Sequence, residues 1–81
     1  MTRIELLYFD GCPRAAGARA LLRACIDHLG LALQVEEREG DFPSPTLLID
    51  GRDLMGQPPQ AGRCCRLDVP TESRLMEALR R

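Results

Sequence analysis

The sequence contains no tryptophan and no lysine, and its aromatic content is one Tyr and two Phe. All 11 basic side chains are arginines, set against 12 acidic ones for a net charge of −1. Neither a basic stripe nor a stacking platform can be built from this stock, which excludes the nucleic-acid-binding class. Long hydrophobic runs are also missing. The opening stretch Met1 to Asp10 holds an apolar run of four residues, Leu6 to Phe9, too short for a signal-peptide core or a membrane span. This reading predicts a cytoplasmic protein with no membrane partner. At 81 residues the chain buries only about 60–65% of its unfolded surface. That predicts a single domain over 1–81 and excludes large multi-substrate enzymes. Four cysteines are present. Because cytosolic thiols stay reduced, they read as reactive, metal-binding or buried thiols before they read as a disulfide framework.

Ile4 to Phe9 is rich in strand formers, with bulk on both faces of the pleat, as a central strand requires. Asp10-Gly11 ends it, and Pro13 suits the first position of a helix, where its missing N–H has no partner to lose. Ala18, Leu21, Leu22, Cys25, Ile26 and Leu29 then recur on one helical face, and Gly30 supplies the stop. Leu31, Leu33 and Val35 alternate with polar residues as an edge strand does, and Glu36 to Pro43 is acidic and then turn-like. Thr46 to Ile49 is a strand, and Asp50-Gly51 is the dipeptide of a type I′ hairpin returning through Arg52 to Met55. Gly56 to Asp68 reads as a loop. Thr71 N-caps a last helix carrying Leu75, Met76 and Leu79. The order β-α-β-β-β-α predicts an α/β fold with a parallel crossover and an antiparallel hairpin in one mixed four-stranded sheet.

The residue that carries chemistry is Cys12, in Gly11-Cys12-Pro13-Arg14-Ala15, where the first strand turns into the long helix. Free N–H groups and the helix dipole there favour an anion, so the thiol is drawn toward thiolate, and Arg14 adds positive charge.

With Ser44-Pro45-Thr46 opening the hairpin, this arrangement resembles the thioredoxin/glutaredoxin fold over most of the chain. More narrowly, the Gly-Cys-Pro turn, the run from Ser44 to Asp53 and the late Cys65-Arg66-Leu67 are similar to small bacterial thioredoxin-like proteins often labelled alkylmercury lyase. The resemblance implies Cys12 as the nucleophilic cysteine and Pro45 as a cis-proline facing it, with Pro13 and Ser44 in support. It implies no cofactor. Two departures matter. The second cysteine of the thioredoxin motif is replaced by Ala15, so a dithiol mechanism needs a remote partner. Cys64 and Cys65 are the candidates, flanked by Arg63 and Arg66 whose charges favour thiolate, and Cys65 matches the family-like position. The usual middle helix is also missing, since only Glu39 to Pro43 precedes Ser44. With both main helices on one face, either Leu7 and Phe9 or Leu6 and Tyr8 lie on an uncovered side. An uncovered apolar side predicts that the proline-rich loop folds over it, that a homodimer forms there, or both.

The remaining residues have plainer readings. Cys25 sits on the apolar stripe and reads as core. His28 reads as solvated, because adjacent Cys64-Cys65 lacks the spacer of a structural zinc pair. Cys64 and Cys65 are open to packing, a vicinal disulfide or pairing with Cys12. Asp10 and Asp68 read as solvated or capping carboxylates, with a proton-donor role if near the thiols. Three functions follow: thiol–disulfide redox chemistry on a thiol or disulfide substrate through Cys12 and Cys65; soft-metal or organomercurial handling with Cys12 and Cys65 as ligands and Asp10 as the acid that protonates the departing carbon; or a non-enzymatic interaction module.

Overall fold

The computed structural model describes residues 3–57 and 62–80. Strand β1 (Ile4–Tyr8) lies inside a four-stranded sheet of order β2-β1-β4-β5, parallel to β2 (Val35–Glu39) and antiparallel to β4 (Thr46–Ile49), which pairs with β5 (Arg52–Asp53). The hairpin turn is made by Asp50 and Gly51, with φ of 52° and 83°, the left-handed pair that a type I′ turn requires. The described residues thus form an α/β fold with a mixed four-stranded sheet and two helices.

Alternation along β1 divides its side chains. Ile4 and Leu6 are fully buried and form one core with Leu47 of β4, Ala18, Leu22, Cys25 and Ile26 of α1 (Ala15–Leu29), and Leu75 and Leu79 of α2 (Glu72–Leu79). Both helices therefore pack on the face carrying Ile4 and Leu6, and Tyr8 joins it, its ring lying under the Arg19 guanidinium. Leu7 belongs to the other face, across from Thr46. Gly30, at φ 66°, closes α1 with its N–H directed to the carbonyls of Ile26 and Asp27. At α2 the Thr71 side chain accepts from the Arg74 amide.

Several boundaries differ from the sequence expectation: β1 stops at Tyr8 and not Phe9, and the return strand β5 stops at Asp53 and not Met55. The second strand begins at Val35, where Leu31 to Val35 was expected. Leu31 and Leu33 still pack against the core, from the connection, but the ladder starts with Val35 opposite Ile4. Its charged residues remain in a strand because they have partners: Arg3 and Arg38 meet Glu36, while Arg19 and Arg23 meet Glu37. Pro13 lies in the turn ahead of the Arg14 N-cap and not at the first helical position. Lastly, the expected turn and loop contain a two-stranded parallel ribbon of β3 (Pro43–Ser44) and β6 (Cys64–Cys65). Two-residue strands leave no periodicity to read.

The face away from the helices is less bare than the missing helix implied. Buried Glu5 is flanked by Arg3 at 3.3 Å and Arg38 at 3.6 Å, tiling one half with charge. Over the other half runs the segment bearing Arg66. Between them remains a groove of about 820 Å³, lined among others by Leu7, Phe42, Leu48, Cys64 and Arg66. Pro58 and Pro59 of the expected covering loop lie outside the described residues. No helix among the described residues is long and apolar enough to cross a membrane.

Candidate functional site

Cys12 occupies the turn between β1 and α1. Its amide donates to the Phe9 carbonyl at 3.3 Å, and its carbonyl accepts from Ala15 at 3.3 Å. Helix α1 begins without a side-chain cap and with no acidic residue in its first turn, so its free amides look for another acceptor. The Cys12 sulfur serves them. Burial pushes this thiol up, but the Ser44 hydroxyl, the Arg14 and Ala15 amides and the Cys65 thiol favour the charged form and together hold it below the ordinary value. Arg14 thus acts through its backbone, while its side chain is exposed.

Ser44 is fully buried, and its hydroxyl finds no partner at full hydrogen-bond geometry. An unsatisfied buried hydroxyl costs about 1–3 kcal/mol. It lies against Cys12, so ionisation of the thiol gives it a charged acceptor. The Ser44–Pro45 peptide bond is cis, and Pro45 is fully buried behind it.

The β3–β6 ribbon delivers the second sulfur. Ser44 pairs with Cys65 and Pro43 with Cys64, which brings the Cys65 thiol onto Cys12. Neighbouring residues on a strand point to opposite sides. Accordingly Cys64 lines the groove on the open sheet face and is separated from the Cys12–Cys65 pair. All four cysteines are free; Cys12 keeps 8% of its surface exposed, whereas Cys64 and Cys65 are exposed. Cys25 is in the core, where burial, with the Glu72 charge, pushes its thiol up.

Arg66 was expected to charge the neighbouring thiols. Its guanidinium is instead spent on carboxylates: Asp53 at 2.7 and 3.2 Å, Asp68 at 3.0 and 2.5 Å, with Thr46 Oγ1 at 3.2 Å. All five guanidinium N–H donors have an acceptor there. Its amide also donates to the Ser44 carbonyl at 2.8 Å. Arg63 likewise turns to Asp41, at 2.7 Å. The alternation that separates Cys64 from Cys65 places Arg66 with Cys64, away from Cys12. Arg66 and Asp53 were missed as structural anchors because a partnership across 13 residues leaves no local pattern.

Asp68 is unsuited to proton donation. The Arg66 hydrogen bonds hold its carboxyl below the usual carboxylate range, on the groove side. Asp10 is exposed in the turn, as is His28 on α1. Among the described residues, no group of three or more His, Cys, Asp and Glu converges on a metal-sized site. No protein-family model matches the chain, and no curated protein or solved structure matches it.

Proposed function

We propose that this chain is a thioredoxin-like thiol–disulfide exchange protein whose working pair is Cys12 and Cys65. One observation carries the reading: a thiol at a helix start, favoured as thiolate by two amides and a buried hydroxyl, meets a second thiol delivered by the β3–β6 ribbon. Ala15 removes the local partner, and Cys65 replaces it from across the fold. The strand–turn–helix around Cys12, the cis Ser44–Pro45 bond and the sheet order support the thioredoxin-like assignment.

In the reaction the Cys12 thiolate attacks one sulfur of a disulfide, forming a mixed disulfide and releasing the other sulfur as a thiolate. Cys65, deprotonated, then attacks the Cys12 sulfur and expels the substrate's remaining thiolate. Two electrons pass to the substrate, and the protein is left with a Cys12–Cys65 bond. The test is residue-resolved alkylation of the native reduced protein together with disulfide-reductase turnover. Fast modification of Cys12 near neutral pH and loss of turnover in Cys12→Ser are expected; a native Cys12 that reacts only after unfolding refutes the proposal.

Soft-metal handling is supported by the same two sulfurs. Carbon–mercury cleavage also needs an acid for the departing carbon; Asp10, exposed in the turn two residues before Cys12, is the carboxyl proposed for it, since Asp68 is bound by Arg66. An interaction module is the reading left if Cys12→Ser retains full function.

A further inference from the structure

We infer that the Cys12–Cys65 pair also reduces small hydroperoxides: Cys12 takes one oxygen from ROOH beside the Ser44 hydroxyl, and Cys65 resolves the sulfenic acid that forms. The inference rests on the reading of Cys12 as nucleophile and Cys65 as its partner. It adds a class of oxidant whose chemistry uses a group that disulfide exchange does not require.

That group is the Ser44 side chain. It is fully buried, and its hydroxyl has no hydrogen-bond partner at full geometry although the Cys12 sulfur lies against it. Buried hydroxyls are rarely left so. An oxygen atom carried on that sulfur gives the hydroxyl the acceptor it lacks. Two further features converge on the same place. Helix α1 starts there with no side-chain cap and no acidic residue in its first turn, so its free amides meet developing negative charge. The pairing of Ser44 with Cys65 brings in the second thiol.

The leaving group explains why a hydroxyl donor is useful. Attack on a disulfide expels a thiolate, whose parent thiol has a pKa of about 8.5, and such a group departs without help. Attack on a hydroperoxide expels hydroxide or an alkoxide, and water has a pKa of about 15.7. Charge then spreads over two oxygens as their bond breaks, and fixed donors beside the sulfur stabilise it. Ser44 and the start of α1 supply those donors from rigid, buried backbone.

The bonds balance. The Cys12 thiolate attacks the terminal oxygen of ROOH; a sulfur–oxygen bond forms, the oxygen–oxygen bond breaks, and RO⁻ takes a proton from water to leave as ROH. The Cys65 thiolate then attacks the sulfur of the Cys12 sulfenic acid, and the hydroxide it expels is protonated to water. Two thiols are oxidised to one disulfide, and one hydroperoxide is reduced to an alcohol and water. Cys64 takes no part, because the pleat directs it to the groove.

The experiment mixes the reduced full-length chain with hydrogen peroxide and, in parallel, with hydroxyethyl disulfide, following rates by stopped flow and products by peptide mapping. A Cys64→Ser background removes ambiguity over the adjacent sulfur. Peroxide is expected to oxidise Cys12 at least about a hundredfold faster than it oxidises the thiolate of free glutathione. With Cys65→Ser, Cys12 gains one oxygen and is captured by dimedone; with Cys65 present the Cys12–Cys65 bond forms instead. Ser44→Ala is compared with wild type at a pH where Cys12 is fully ionised in both, and the peroxide rate is expected to fall by about tenfold or more, a larger factor than the disulfide rate. Equal factors overturn the inference, as does a peroxide rate no greater than that of glutathione. If the disulfide is still opened in that case, the redox proposal stands alone; a Cys12 inert to both reagents ends both.

Discussion

At the scale of single residues, Ser44 and Cys12 form a coupled pair: one buried hydroxyl without a partner, and one buried thiol whose ionisation provides it. Ser44→Ala removes a stabiliser of the thiolate, and the Cys12 pKa is expected to rise toward the ordinary thiol value, read from the ultraviolet absorbance of the thiolate against pH. The linkage has a definite sign. A thiol held low in the folded state contributes stability that is fully present above its unfolded pKa, near 8.5, and is lost as pH falls through the folded value. Reduced wild-type protein should therefore gain stability toward mildly alkaline pH relative to Cys12→Ser, measured by urea unfolding; parallel profiles refute the assignment. Cys12 itself was legible in the sequence because a cysteine between a strand and a Pro-bearing helix start is a local pattern. The role of Ser44 was legible only as a neighbour of Pro45. Ser44 pairs with Cys65, 21 residues away, and no spacing announces that.

Among the elements, β6 controls the pair while contributing only two residues to a ladder. Its position depends on Arg66, whose guanidinium is buried between Asp53 and Asp68. Removing one partner of a buried ion pair costs about 3–5 kcal/mol, so Arg66→Met is expected to destabilise the fold by about that amount and to free Cys65. The second effect separates anchoring from mere packing. In equilibrium with a glutathione buffer the fraction of Cys12–Cys65 bond falls, whereas a core variant such as Leu75→Ala loses about 2–5 kcal/mol with the bond's equilibrium in the folded protein unchanged. Acid acts on the same anchor. Burial pushes the Asp53 carboxyl up, but the Arg66 hydrogen bonds outweigh it and hold the carboxyl low. The anchor's contribution is complete above the ordinary carboxylate pKa, about 3.9, and disappears as pH falls through the depressed value. The helices and the hairpin were readable because amphipathic spacing and Asp50-Gly51 are local signals. The β3–β6 ribbon was not, since its pairing joins residues 21 apart in sequence.

For the whole molecule, the sheet face without helices decides how the chain meets others. The residue types on that face were readable from β1, but the choice between Leu6 and Leu7 needed the helices in place. Arg3, Glu5 and Arg38 occupy one half and Arg66 with its carboxylates spans the other, so the expectation of a second copy now rests on the groove containing Leu7, Phe42 and Leu48. A dimer seated there is expected to dissociate on Leu48→Glu, seen as loss of concentration dependence in sedimentation. A wild-type monomer at every concentration ends the dimer proposal.

The pleat at Cys64 and Cys65 sends two adjacent, chemically identical side chains into separate environments, one beside the helix start and one in the sheet groove. Slipping β6 along β3 by a single position would bring Cys64 to Cys12 and swing Cys65 outward, exchanging their duties without altering a single letter of the sequence. That slip is opposed by Arg66, which would have to abandon both carboxylates to follow. The arginine thus acts as the index pin that decides which of the two sulfurs lies beside Cys12.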